Sequence, residues 1–468
     1  MASKTTNSLH VFCILKFLEA IFLKQQIKSE EPQLIEGAQK RKFDYTWVII
    51  VCCFLMEMIA LGFCSSTRSY FIGPVTSHLG IERGAYAIND TARYLASSIT
   101  TLFFGFLIKE FGSRKLIAAG FVCLVGACLC YAHATNVWVI YLGGILLGVG
   151  LGWTSTTMVG YVINKWSKKN KGTIMGFVLA ANGVGGAIAM QIVSPIIERP
   201  GSVPGYKIAY LVIAGVLLTC CILIFILFRD NPKNKASDEA DEIPKKKPRG
   251  DSWVGIDFKV LLKKWYFYVT LACIFFTGFS LTAINGVAVQ HMKDVGLDVV
   301  YVTNIWSIHS LFLAGFKFLT GFLYDKLGLR KTMLICSITT VLVMISLACV
   351  TPTTEGKILA AVYSIFSGLA LPLETIMLPI IAGDLFGQRS YAKVLGIISS
   401  VSTAGYALAS PIMNLVYDKL DSYSVGLWAS GAVMVAVIIV MQFIITKANR
   451  VKKQVIADEA AKKAAITE

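Results

Sequence analysis

The sequence predicts an all-α membrane protein whose twelve transmembrane helices form two pseudo-symmetric six-helix bundles. Three observations lead there. The 468-residue chain is 55% apolar and only 15% charged, against about 25% charged in ordinary soluble domains. Its apolar residues gather into stretches of the roughly 20 residues that one membrane-crossing helix needs. Two loop signatures each occur twice, in the same order and at nearly constant spacing, as expected of an internal duplication.

Residues 1–44 form a segment ahead of the first span. Within it, residues 9–23 are apolar but too short, and too interrupted by Lys16 and Glu19, to cross a membrane. An interfacial helix, an upstream start site and a degenerate signal all fit this stretch. Spans at 46–66, 86–108, 115–134, 137–163, 173–197 and 206–228 make an N-terminal bundle over 45–228. Residues 229–264 mix Lys, Asp, Glu and Pro with few large apolar residues, the composition of a solvated linker. Spans at 266–290, 301–323, 331–350, 356–383, 392–416 and 425–446 make a C-terminal bundle over 265–446, and 447–468 form a tail.

The net charge of +16 invites a nucleic-acid reading, which the placement of the charges argues against. Lys and Arg cluster in alternate loops: Lys40, Arg41 and Lys42 before the first span, Lys165, Lys168, Lys169 and Lys171 after the fourth, Lys245, Lys246, Lys247 and Arg249 in the linker, and Arg450, Lys452 and Lys453 in the tail. Loops 132–137 and 351–357 carry almost none. By the positive-inside rule both termini and the linker are expected in the cytoplasm, with the chain as a multi-pass plasma-membrane protein whose surroundings are the bilayer and not nucleic acid. The twelve cysteines lie mostly inside apolar spans and read as small packing residues. Cys128 and Cys130 have only His133 nearby in sequence, which does not make a metal site. No phosphate-binding loop, Gly-x-Ser-x-Gly or His cluster occurs, so neither an enzyme, an ATP-driven pump nor a resident cofactor is expected.

The first signature is Gly105-Phe-Leu-Ile-Lys109-Glu110-Phe-Gly112-Ser-Arg114-Lys115 after span 2. It recurs as Gly321-Phe-Leu-Tyr-Asp325-Lys326-Leu-Gly328-Leu-Arg330-Lys331 after span 8, displaced by 216 residues. The second runs from Asn164 and Trp166 to Gly172 and Gly176 after span 4, and from Asp384, Phe386 and Gly387 to Ala392 and Gly396 after span 10, displaced by 220 residues. Glycines at such loops let helices meet closely, and the acid and bases can latch helix ends. The Gly105 and Gly321 runs resemble the short-loop signature of the major facilitator superfamily, whose members have twelve helices in two pseudo-symmetric halves. In the first copy Lys109 and Glu110 replace the usual acid and base, which puts that latch in question. A narrower resemblance covers most of the chain. Asp44-Tyr-Thr-Trp47, the Asn164 to Gly176 loop and the stretch from Pro379 to Gly396 are similar to the oxalate:formate antiporter and monocarboxylate transporter group. That resemblance implies carriage of small organic anions together with a proton or a counter-anion, and a gate built from Gly105, Gly112, Arg114, Gly321, Asp325, Gly328 and Arg330.

Charge inside a membrane is costly, roughly 2.5–3.5 kcal/mol for Arg, Lys or Asp at mid-helix, so each such group needs a partner or an aqueous cavity. Glu57, Arg93, Lys317 and Glu374 stand out. Lys317 lies on a small and polar face with Thr303, Ser307, Ser310, Ala314 and Gly321. In the resembled family a cation at this position, usually Arg, engages the substrate carboxylate; Lys keeps the charge and loses the bidentate fork. Snorkelling toward the Asp325 end, about 12 Å away along the helix, or a structural ion pair, is the competing role. Arg93 shares a face with Asp90, Ser97 and Thr101, and either pairs with Asp90 or draws anions inward. Glu57, Glu374 and His309 are candidates for proton coupling, each with a static structural role as its alternative. Tyr161, Asn182, Asn285, Ser399, Ser402, Thr403 and Tyr406 complete a candidate cavity, or serve as helix-packing hydrogen bonds. Oxalate carriers of the resembled group have a Lys in the middle of span 11, where this chain has Gly396-Ile-Ile-Ser-Ser-Val-Ser-Thr403 and no charge. That difference favours a monocarboxylate over a dicarboxylate. The competing function is export of cationic or amphipathic compounds, with Glu57 and Glu374 as the cation sites.

Overall fold

Long runs that are apolar on every face can be stable only with lipid as their solvent, and lipid offers backbone groups no partners, so the chain closes its hydrogen bonds within helices. The computed structural model describes residues 45–81, 83–167, 170–197, 199, 203–230, 255–420 and 422–467, and among them helix is the regular secondary structure throughout. The 9–23 stretch, the basic cluster at 40–42 and the linker's basic run at 245–249 lie outside the described residues.

The elements are α1 Thr46–Cys64, α2 Arg68–Leu79, α3 Arg83–Leu102, α4 Phe104–Ala132, α5 Val137–Thr154, α6 Thr156–Trp166, α7 Lys171–Ile197 and α8 Gly205–Leu227. There follow α9 Phe258–Leu261, α10 Trp265–Asp294, α11 Val299–Ala348, α12 Thr354–Ala370, a 3-10 turn Leu371–Glu374, α13 Met377–Phe386, α14 Tyr391–Leu420 and α15 Ser424–Thr467. Ten of the described helices are long and apolar enough to cross a membrane. Twelve crossings result because α11 carries two of them on either side of Gly328, and α3, with Arg83, Asp90 and Arg93, is too polar to qualify by composition. Large apolar side chains such as Phe106, Val122, Trp138, Ile226, Leu311 and Ile439 are exposed on the outside, where lipid would cover them.

Four spans differ from the apolar pattern. The first does not stop near 66 but breaks at 65–67 and resumes as α2. The fourth breaks at Ser155, whose extended backbone separates α5 from α6. The tenth is interrupted by the 3-10 turn that ends on Glu374. The twelfth runs on as one helix through Thr467, so the tail continues α15. Breaks are tolerated at such depth where neighbouring helices and hydroxyl side chains take up the freed backbone groups.

The duplication is visible in the backbone. Gly112 (φ 76°, ψ 167°) and Gly328 (φ 75°, ψ 171°) adopt the same conformation, in the left-handed half of φ space open to glycine. Arg114 Nε donates to Phe225 O at 2.8 Å and Arg330 Nε to Gln442 Oε1 at 3.1 Å, so each signature arginine ties its helix to the last helix of its own half. The glycines instead join the halves, in crossed fashion. A β-carbon at Gly105 would fall 2.6 Å from Lys393 Cα, and one at Gly396 2.6 Å from Thr101 O. On the other side a β-carbon at Gly321 would fall 2.0 Å from Gly172 O, and one at Gly176 2.6 Å from Lys317 O. Each copy of the first signature thus lies against the opposite copy of the second. Gly321→Val is expected to force α11 off α7, at about 1–3 kcal/mol for overpacking, read as a lowered midpoint of thermal unfolding for the purified protein; an unchanged midpoint would refute the tight crossing.

Candidate functional site

Lys317 sits where α11 crosses α7. Its ammonium is buried and donates to Asn182 Oδ1 at 3.0 Å and to Leu179 O at 3.3 Å. The side chain turns into the crossing and not along the helix toward Asp325. Glu57 of α1 and Glu374 of the 3-10 turn are both within electrostatic reach of the ammonium, yet neither carboxylate closes to ion-pair distance among the described residues. One oxygen of each, Glu57 Oε2 and Glu374 Oε1, is buried without a hydrogen-bond partner. Glu57 stands eleven residues from the start of α1, Lys317 eleven from Gly328 and Glu374 thirteen from Gly387. At about 1.5 Å per residue the three lie at one level, roughly 16–20 Å from the end that carries the repeated loops.

Tyr406 and Ser402 of α14 join this centre. Tyr406 donates to the Glu374 carbonyl at 3.3 Å, Ser402 Oγ donates to Tyr406 Oη at 3.0 Å, and Tyr406 meets Tyr94 of α3 edge to face at 5.7 Å. A water-sized cavity beside them is lined by Thr277, Gly278, Met333, Glu374 and Ser402. Ser98 Oγ donates to Ser400 O at 2.8 Å between α3 and α14. Ser399 and Thr403 belong to α14 itself, Thr403 bonding back to Ser399 O.

Other candidates stand apart from Lys317. Tyr161 is buried near the loop end, edge to face with Phe104 at 5.7 Å and beneath the Lys165 ammonium at 4.7 Å. Asn285 accepts from Tyr363 Oη at 3.1 Å and donates to Leu281 O at 3.0 Å. His309 stacks on Trp306 at 4.6 Å, and its Nδ1 lies 3.1 Å from Ser364 O and 2.8 Å from Ser367 Oγ. Both belong to the C-terminal half. Arg93 donates to Ser65 Oγ at 3.1 Å, spreads over the Tyr94 ring at 4.3 Å and lies 3.6 Å from Asp90. The nearer partner of Asp90 is Arg68, which forms a direct ion pair with it. Sequence reading passed over Arg68 by ending the first span at 66; the signal was a charge directly after the polar run Ser65-Ser66-Thr67.

At the loop end, Asp325 caps the first turn of α7 across the half boundary. It accepts from Gly172 N at 3.1 Å, Thr173 N at 2.7 Å and Thr173 Oγ1 at 2.6 Å, where a carboxylate meets the positive end of the helix dipole. The first copy works differently. Lys109 and Glu110 are exposed, and Asp230, at the start of the linker, accepts from Ser113 N at 3.1 Å. Asn164 and Gln388 exchange hydrogen bonds between the halves, and Tyr391 Oη donates to Gly160 O at 3.2 Å. Linker residue Ile256 donates its N–H to Phe386 O at 3.2 Å, and Asp257 pairs with Arg389 at 3.4 Å.

A family model described as Major Facilitator Superfamily matches residues 46–361 and 270–467. The sialic acid transporter NanX of Escherichia coli (strain K12) is 22% identical over 75% of this chain and 82% of its own. Monocarboxylate transporter 2 of Homo sapiens is 22% identical over 70% of this chain and 71% of its own, and the oxalate:formate antiporter of Oxalobacter formigenes 23% identical over 61% and 65%. A crystal structure of FucP in the outward conformation superposes with a TM-score of 0.65 at 13% identity, covering 86% of this chain and 99% of FucP.

Removing the charge of the α7 cap tests the contact between the halves. Asp325→Asn is expected to loosen the loop end and raise the maleimide labelling rate of a cysteine placed at Asn164, by severalfold for a cap of about 1 kcal/mol. Equal labelling rates would show that the cap does not hold the halves together.

Proposed function

The chain belongs to the Major Facilitator Superfamily, a family of membrane transporters, and on that premise we propose that it is a secondary active transporter of a small organic anion, specifically a monocarboxylate, working by proton symport or anion exchange. The observation that carries this reading is the setting of Lys317: a buried ammonium held by an amide oxygen and a backbone carbonyl, with no carboxylate at ion-pair distance among the described residues. Neutral acceptors leave its charge for a substrate carboxylate to take up, in a contact worth about 1.5–3 kcal/mol. The relatives named above handle sialic acid, monocarboxylates, oxalate and formate by their own descriptions, and all are carboxylic acids or their anions.

Charge balance supports coupling to protons. One ammonium faces two carboxyls, so the empty centre is neutral when one carboxyl holds a proton. With a carboxylate substrate on Lys317, neutrality requires a proton on both. Glu57 and Glu374 are therefore the coupling pair in this reading, Tyr406 and Ser402 hold the Glu374 side, and substrate and proton enter together. In exchange mode a second anion replaces the proton's role on the return step.

The same reading places both termini and the linker in the cytoplasm of a plasma-membrane protein, with the 45–228 and 265–446 bundles rocking about the site. The loop end held by Asp325 and Asn164 is then the cytoplasmic gate, with Tyr161 beneath it. His309 and Asn285 support the wall of α12, and Arg93 lies on the approach from the opposite side. The two orphaned carboxylate oxygens favour one alternative, proton-coupled export of cationic or amphipathic compounds.

Liposomes with an imposed pH gradient separate these readings. Uptake of labelled lactate or formate is expected to rise as the outside is acidified, and to fall tenfold or more in Lys317→Ala, the scale of one charge-assisted contact. In Glu57→Gln, exchange is expected to persist while the pH gradient no longer drives accumulation. Unchanged uptake in Lys317→Ala, or inhibition by lipophilic cations with no effect of carboxylates, would refute the anion reading.

A further inference from the structure

We propose that the N-terminal half holds a second, separate site for a small monovalent anion, in a cavity lined by Arg68 whose positive charge the neighbouring Arg93 augments. Asp90 is the acidic partner of both arginines: it pairs directly with Arg68 and lies 3.6 Å from Arg93. Two cations on one carboxylate leave an excess of one positive charge within a membrane bundle, where an uncompensated charge is costly. Hydrogen bonding is also incomplete. Among the described residues Arg68 Nε and Arg93 Nε are buried without a hydrogen-bond partner, while Arg93 spends another N–H on Ser65 and lies 3.6 Å from Asp90 Oδ1. A buried donor left unpaired costs about 1–3 kcal/mol, and one anion would satisfy donors and charge together.

The space for that anion lies beside Arg68. A cavity of water size is walled by Thr67, Arg68, Tyr86, Asn89 and Tyr131, large enough for one small polar occupant. Asn89 and Tyr131 bond to each other there at 3.1 and 3.2 Å, and a rotation of either presents an N–H or O–H to the cavity. Phe63, Phe71, Leu147, Tyr210 and Ile213, with the thiols of two cysteines, close the rest of the wall and limit the occupant to a compact ion. One excess charge and a water-sized space select a monovalent anion of halide or formate dimensions and exclude sulfate and large organic anions. Arg68 stands eleven residues beyond Glu57, past the break at 65–67, and none of the residues lining this cavity lines the one beside Glu374, so this site and the Lys317 centre are distinct. The break at 65–67 is what turns Arg68 inward beside Asp90, and Arg93 fastens that break through Ser65.

A ligand that binds the folded state raises its unfolding midpoint. The test uses the purified full-length chain in detergent, with chloride replacing gluconate at constant ionic strength. A saturable rise in the midpoint with chloride and bromide is expected. It should persist in Lys317→Ala, disappear in Arg68→Gln and half-saturate at about tenfold lower chloride in Asp90→Asn, where the competing carboxylate charge is gone. Formate separates the two sources of such an anion: competition with chloride identifies a solute carboxylate as a ligand of the same site, and no competition identifies the halide alone. Equal midpoints in chloride and gluconate would overturn the proposal, as would a chloride effect lost in Lys317→Ala or retained in Arg68→Gln. If Arg68→Gln does not fold, Asp90→Asn decides, because a purely structural ion pair gives no tightening for chloride.

Discussion

Two helices in lipid gain little by hiding apolar surface from each other, since the lipid is equally apolar; close packing has to hold them together. Backbone contact at the glycines meets that need here. Gly172 against Gly321 and Gly105 against Lys393 leave no room for a side chain, and these crossings join the halves of the molecule. Much else follows from them. The Lys317 carbonyl rests against Gly176, which brings its side chain to Asn182. The same approach brings Asp325 onto the first turn of α7.

Symmetry of backbone does not carry over to charge. Gly112 and Gly328 share one conformation, and Arg114 and Arg330 make equivalent ties. Asp325 nevertheless binds the opposite half, whereas its counterpart Lys109 is exposed and the Ser113 N–H goes to Asp230 at the start of the linker. A lysine near a helix N-terminus would oppose the dipole, which accounts for the different arrangement. The charge-assisted cap between halves is therefore on the α7–α11 side, the side that also carries Lys317.

Part of the charge within the spans lies at helix breaks. The 65–67 break lies beside Arg68, Asp90 and Arg93, and the 3-10 turn of the tenth span carries Glu374. An interrupted helix frees backbone groups and changes the direction of its side chains, so charge and irregular backbone stabilise each other where neither would be tolerated alone. The clusters lie on separate elements and have opposite excess charge when all groups are ionised, one with two carboxyls to one ammonium and one with two guanidiniums to one carboxylate.

The repeated loop signatures determined the duplication, and apolar composition determined the spans and the all-α class, because a helix in lipid must satisfy its backbone locally and must be about 20 residues long. It also picked out Glu57, Lys317 and Glu374, since charges are rare in such runs. Partner choice was decided only in three dimensions. Lys317 takes Asn182 from the other half, Asp90 takes Arg68 over its helix neighbour Arg93, and Tyr161 lies at the loop end. Those outcomes depend on where helices cross and where they break. Periodicity describes one helix at a time, and neither crossing nor break is a property of one helix.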